Sequence, residues 1–193
     1  MFKDITCLKD DAKRRCVCHS RACEIPEIDG FAAGFSCTSY SLLNNNAAKN
    51  ATGMERARNG DAEGGTVASV STFQGCVDIL EECTPIWALF EFDGIHRSAR
   101  GQRAKQPEVC LARIREIGYV AKTYLLDSQW YGLPQSRRRV YIVCLSTLTP
   151  DVSVSPNDFF QSVRAILQTL HMDPPPKQMP FCCQMTTTQC RVT

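Results

Sequence analysis

No run of 18 apolar residues occurs anywhere in the 193 positions, so no stretch reads as a membrane-spanning helix. The first residues, MFKDITCLKDDAKRR, lack the apolar core of a secretory signal, and the expectation is an intracellular protein that meets no membrane. Charge of one sign is also scarce. Twenty-two Lys and Arg against 20 Asp and Glu leave +2, too little to argue for a nucleic-acid partner from charge alone. With 44% hydrophobic and 22% charged residues, and no internal repeat, the composition excludes a collagen, a coiled coil or a wholly disordered chain. Cysteine is the one residue type in excess. Twelve in 193 still fall short of the roughly 8–10% of a secreted disulfide scaffold, so most are expected to be free thiols.

Strand and helix signals alternate along the chain. IDGFAAGF, 28 to 35, reads as a buried strand that delivers the backbone into a loop carrying Ser36, Cys37, Thr38 and Ser39. Residues 44 to 65 turn polar and rich in Gly and Asn, which predicts a mobile loop. Val67, Val70, Phe73, Cys76, Val77 and Leu80 then recur at three- and four-residue steps, the period of an amphipathic helix that ends near Thr84-Pro85. IWALFEF, 86 to 92, is a second strand. Pro107 opens a second helix with Val109, Leu111, Ile114 and Ile117 on one face, and Gly118 stands at its C-cap. Strands are expected at 119 to 126 and 139 to 145, and a last helix at 157 to 170. The proline-rich tail after it is expected to be extended or disordered. This alternation predicts an α/β fold around a mostly parallel sheet covered on both faces.

Chemistry-bearing residues fall at strand ends. Cys37 lies just past the first strand in a Gly/Ser loop, and Glu91 lies near the end of the next, so a thiol and a carboxyl could share a crevice at one edge of the sheet. In YGLPQSRRRVYIV, residues 131 to 143, Gln135, Arg137 and Arg139 alternate into a strand. That spacing puts both arginine forks on one side and Arg138 on the other.

AGFSCTSYS, LFEFDGI and YGLPQSRRRVYIV together resemble, in order and spacing, the cysteine-nucleophile, glutamate and Gln-x-Arg-x-Arg motifs of DNA cytosine-5 methyltransferases. FKDITCL resembles the family's Asp-Ile segment, which makes Asp4 and Ile5 the cofactor-binding residues for the adenine of S-adenosylmethionine, and STFQGCVDILEE looks like the helix between the cysteine and glutamate motifs. The resemblance covers roughly residues 2 to 145. It implies a Rossmann-like methyltransferase fold acting as a monomer on duplex DNA with the target cytosine flipped out, in the nucleus if the source is a eukaryote. Cytosine C5 is a poor nucleophile, so the family's thiolate adds to C6 first, and the resulting electron-rich ring attacks the methyl group. The resemblance gives that role to Cys37, the ring N3 contact to Glu91, and the holding of the base or the cysteine loop to Arg137 or Arg139, with Gln135 in the same motif.

Some family features differ here. Ser36 stands where the family has Pro, which loosens the loop because Ser does not fix φ. Glu91-Phe92-Asp93 replaces Glu-Asn-Val. A Gly-rich cofactor loop, a ribose-binding acid and a target-recognition domain have no counterpart, so residues 1 to 149 are expected to form a partial catalytic domain, incomplete at its N-terminal edge, and 150 to 193 a helix and tail. The alternatives are a non-catalytic remnant binding nucleic acid or a partner protein through the Arg137 and Arg139 edge, and a small cysteine-rich zinc module. Cys16, Cys18, His19 and Cys23 carry the latter, but they lack a Cys-x2-Cys knuckle, so no metal site is assigned and the plain reading is a connector with several thiols.

Overall fold

The computed structural model describes residues 4–8, 14, 16–35, 68–92, 106–149 and 153–173. The loop expected at 44 to 65, the cysteine loop with Cys37, and the tail beyond residue 173 lie outside them. A 3-10 turn at Ile5–Cys7 precedes strand β1 (Gly30–Gly34), helix α1 (Ala68–Cys83), strand β2 (Trp87–Phe92), helix α2 (Gln106–Glu116) and strand β3 (Tyr119–Asp127). A second 3-10 turn, Ser128–Tyr131, leads to strand β4 (Arg138–Ser146) and helix α3 (Pro156–Leu170).

The sheet order is β1-β2-β4-β3. β1 pairs with β2 in parallel, whereas β4 pairs antiparallel with both β2 and β3. The expectation of a mostly parallel sheet is therefore corrected. Three strands run one way, but the reversed β4 sits between two of them, so two of the three ladders are antiparallel. Connection length explains the difference. A parallel return needs a crossover of about a dozen residues or more, usually a helix, and the link from Asp127 to Arg138 holds only one 3-10 turn.

The two helical crossovers, β1-α1-β2 and β2-α2-β3, step in the same direction across the sheet. Right-handed connections then put both helices on one face. That face is the core. Val70, Phe73, Cys76, Val77 and Leu80 from α1 and Cys110 and Ile114 from α2 close over Ala88, Phe90, Phe92, Ala121, Val140, Ile142 and Cys144. Each predicted apolar position of α1 from Val70 to Leu80 is thus buried. The opposite face is only half covered. Phe160 of α3, itself buried, lies there with the Lys122 ammonium 4.6 Å from its ring centre.

Local chemistry sets the boundaries. α3 starts at Ser155, whose Oγ accepts from the Asp158 amide, with Pro156 in the first turn. After α2, Gly118 adopts φ +89°, the left-handed conformation that ends a helix, and its carbonyl accepts both the N–H and the Oγ1–H of Thr147. A side chain at Gly118 would be strained, and its Cβ would lie 2.7 Å from Leu148 Cγ. Gly118→Ala is expected to cost about 1 kcal/mol or more and to lower the melting temperature by roughly 2–4 °C, as differential scanning calorimetry would show. An unchanged melting temperature would refute this account of the α2 terminus.

Candidate active site

Register assembles the site. Gly34 at the end of β1 pairs with Glu91 near the end of β2, and Glu91 pairs with Tyr141 of β4. Arg139 lies two residues before Tyr141 on the same face, a diagonal neighbour of Glu91 within reach of a long side chain. Arg139 Nε donates to Glu91 Oε1 at 3.0 Å. Its Nη1 also donates to the Arg138 carbonyl at 2.7 Å, so the guanidinium is held from two sides. Gly34 gives the carboxylate room, because a Cβ there would sit 3.2 Å from Glu91 Oε2.

Aromatic packing fixes the exit of β1. Phe35 is buried, stacked on Phe92 with ring centres 5.1 Å apart, and touches Phe73 and Phe90. Cys37 follows two residues later in the chain, outside the described residues. The other motif arginines separate. Arg138 Nε donates to Asp127 Oδ2 at 3.3 Å with its side chain 72% exposed. Arg137 precedes the strand and is exposed, and its backbone N–H donates to Asp127 Oδ1 at 2.9 Å. Among the described residues no carboxylate pairs with the Arg137 guanidinium, so of the two arginines assigned to one side only Arg139 is brought to Glu91.

Asp127 was not singled out by sequence reasoning, yet it organises this motif. It is buried, caps the 3-10 turn through the Gln129 amide, and accepts from Ser136 Oγ, the Arg137 amide and Arg138. Burial alone would raise its pKa, but these four donors outweigh that and hold the carboxyl below its usual range. Ser128 closes the same loop, its Oγ donating to the carbonyl of Gln135 and its amide to that of Arg137. An Asp at a strand end followed by Ser is a turn and cap signal, and it was available in the sequence.

The 3-10 turn that Asp4 caps stands on α1 through Ile5. Asp4 Oδ1 accepts from the amide and hydroxyl of Thr6 at 2.9 and 2.8 Å, which lowers its pKa, the amide contributing most. Ile5 packs against the core, and its backbone approaches Gly75 so closely that a Cβ there would lie 3.1 Å away. The carboxylate is exposed and ionised, suited to accept from an amine of a bound group.

Several thiols are unsuited to nucleophilic work. Burial pushes Cys76 and Cys144 up to about 12. In contrast, the His19 and Cys18 amides hold Cys16 down to about 6.

A family model of C-5 cytosine-specific DNA methylases matches residues 1–178, and the chain belongs to that family. It is 26% identical over 145 residues to the type II methyltransferase M.NgoBI of Neisseria gonorrhoeae, covering 75% of this chain and 40% of that protein. It is 32% identical over 123 residues to M.MthTI of Methanothermobacter thermautotrophicus, covering 62% of this chain and 31% of that protein. The chain thus spans less than half the length of either relative. Among solved structures it is similar to the Dnmt2 methyltransferase of S. pombe, with 20% identity, a TM-score of 0.44, and coverage of 82% of this chain and 39% of that one.

Two outcomes are expected. Asp127 has a folded pKa below its unfolded value, so its contribution to stability is present above about pH 4 and is lost as pH falls through the folded value. Urea unfolding midpoints should therefore drop less between pH 6 and pH 3 in Asp127→Asn than in the parent, and an equal drop would refute the assignment. Iodoacetamide at about pH 8 should leave Cys76 and Cys144 unmodified in the folded chain, as peptide mass mapping would show. Their alkylation at the rate of an unfolded control would refute it.

Proposed function

We propose that this chain carries the catalytic residues of DNA cytosine-5 methyl transfer, moving a methyl group from S-adenosylmethionine to C5 of a cytosine flipped out of duplex DNA. The supporting observation is the Arg139–Glu91 ion pair beside Gly34, three residues ahead of Cys37 in the chain. S-adenosylmethionine, when bound, supplies an electrophilic methyl group. Asp4 and Ile5 hold its adenine, the ionised Asp4 accepting from an amine. Cys37 adds through its thiolate to C6 of the base, which makes C5 nucleophilic; once C5 has taken the methyl group, loss of the C5 proton to a base expels the thiolate and restores the ring. Glu91, as the carboxylic acid, donates its proton toward N3, where electron density accumulates, and Arg139 fixes the orientation of that carboxyl. Gln135 and Arg137 belong to the same motif, and Arg137 would hold the base or the cysteine loop; Ser128 and Asp127 tie down their backbone.

Covalent trapping on duplex DNA carrying 5-fluorocytosine, with S-adenosylmethionine present, tests the reading. An adduct that vanishes in Cys37→Ser is expected. Absence of any adduct, together with retained DNA binding, would instead favour a non-catalytic binding module.

The three arginines should separate by function. Arg139→Ala is expected to lower methyl transfer at least tenfold, about 1.4 kcal/mol, and Arg139→Lys should stay impaired because Lys lacks the planar fork. Arg138→Ala should stay near the parent activity, since its pair with Asp127 is exposed. Equal losses at Arg137, Arg138 and Arg139, with a steep salt dependence, would mark a diffuse phosphate-binding patch and overturn this account.

A further inference from the structure

Between the 3-10 turn on α1 and strand β1, three metal-ligating side chains meet among the described residues. Cys16 Sγ, a ring nitrogen of His19 and Cys23 Sγ all lie within 4.8 Å of one another. His19 Nδ1 is 3.3 Å from Cys23 Sγ. The backbone makes the meeting. Cys16 N–H donates to the Arg21 carbonyl at 2.9 Å, Ser20 N–H returns to the Cys16 carbonyl at 2.8 Å, and Ser20 takes φ +54° to complete the reversal. The same reversal brings His19 and Cys23 back toward the Cys16 sulfur. Cys16 is 3% exposed within its own turn, whereas His19 is exposed and Cys23 half-buried. The site faces solvent on one side.

We propose that Cys16, His19 and Cys23 bind one zinc ion, with water in the fourth position. Two thiolates and an imidazole form a borderline-soft donor set that suits Zn²⁺ and not Mg²⁺ or Ca²⁺. A tetrahedron with Zn–S of about 2.3 Å and Zn–N of about 2.0 Å draws its ligand atoms to within roughly 4 Å of one another, so closure around the ion needs a small contraction. Both sulfurs bind as thiolates, so any proton still on them is released as the ion binds. Although the spacing lacks a Cys-x2-Cys pair, Cys16-x2-His19 turns the chain through the same number of residues. Cys18 is exposed and does not belong to the cluster. The ion's role is a clip. It closes the connector into a loop and fixes the approach to β1, independently of whether Cys37 acts as a nucleophile.

The test is zinc competition between the whole reduced chain and a chromophoric chelator, with elemental analysis of the chain after gel filtration. One tightly held zinc per chain is expected. Losing a direct ligand should weaken binding by more than the roughly 10- to 100-fold typical of outer-shell partners, so Cys23→Ser and His19→Ala should each cost more than about a hundredfold. Cys18→Ser should retain the ion, and His19→Cys, which restores a ligand, should recover binding. His19 is exposed, so its variants remain folded even if Cys16→Ser does not. Replacing zinc with Co²⁺ gives a second readout, a visible tetrahedral spectrum lost in His19→Ala. Zinc retained at parent affinity in a Cys16→Ser/Cys23→Ser double variant would put the ion on other thiols and overturn the proposal. So would an equal loss in Cys18→Ser.

Discussion

Arg139 meets Glu91 because β4 runs antiparallel between β2 and β3, and most of what is distinctive in this domain depends on that insertion. Were β4 added at the outer edge beyond β3, its arginines would face solvent two strands away from Glu91. Inserted as it is, β4 forms ladders on both sides, and its buried residues Val140, Ile142 and Cys144 complete the core under α1 and α2. One strand therefore serves two purposes. Its inward residues join the hydrophobic floor, and its outward residues carry the charge that orients the carboxyl.

The energetics of that pair point the same way. Arg139 and Glu91 keep 19% and 37% of their side-chain surface exposed, and ion pairs that open to water contribute only about 0–1 kcal/mol to stability. Burial of Phe90, Leu80, Ile114 and Ile142, at roughly 1.5–3 kcal/mol per side chain, is what holds the fold. A planar guanidinium restrained from two sides, over a floor opened by Gly34, costs rotamer entropy while returning little stability. Such an expense is reasonable where a carboxyl must be presented to a bound molecule in one orientation.

How far the sequence reveals this structure follows from the range of the interactions. The three- and four-residue period from Val70 to Leu80 marks α1 correctly, because each of those positions is set by the helix's own geometry. Gly118 at positive φ is equally local. Sheet order is not local, and alternating strands and helices suggested mostly parallel pairing. The short link from Asp127 to Arg138 already argued against a parallel return, but it weighs little beside a pattern that holds for every earlier element. Within the site, alternation put Arg137 and Arg139 on one side, but Arg137 fell outside the strand, and the meeting of Arg139 with Glu91 follows from strand register, which the motifs alone do not give. Asp127 escaped notice because its partners, Gln129, Ser136, Arg137 and Arg138, meet it only once the loop has closed.

The same distinction separates the cysteines. By residue type alone all twelve are equivalent, and only environment assigns them different chemistry. Cys76 and Cys144 are surrounded by apolar side chains that disfavour a thiolate, so they act as small hydrophobic residues and resist reaction. Cys16 is as little exposed as they are but lies outside the apolar core, and amides from its own turn point at its sulfur, which favours the anion. Burial therefore does not by itself decide whether a thiol is inert. What decides is whether the surrounding atoms are hydrocarbon or oriented N–H groups, and the turn from Cys16 to Arg21 supplies the second kind with no contribution from the core.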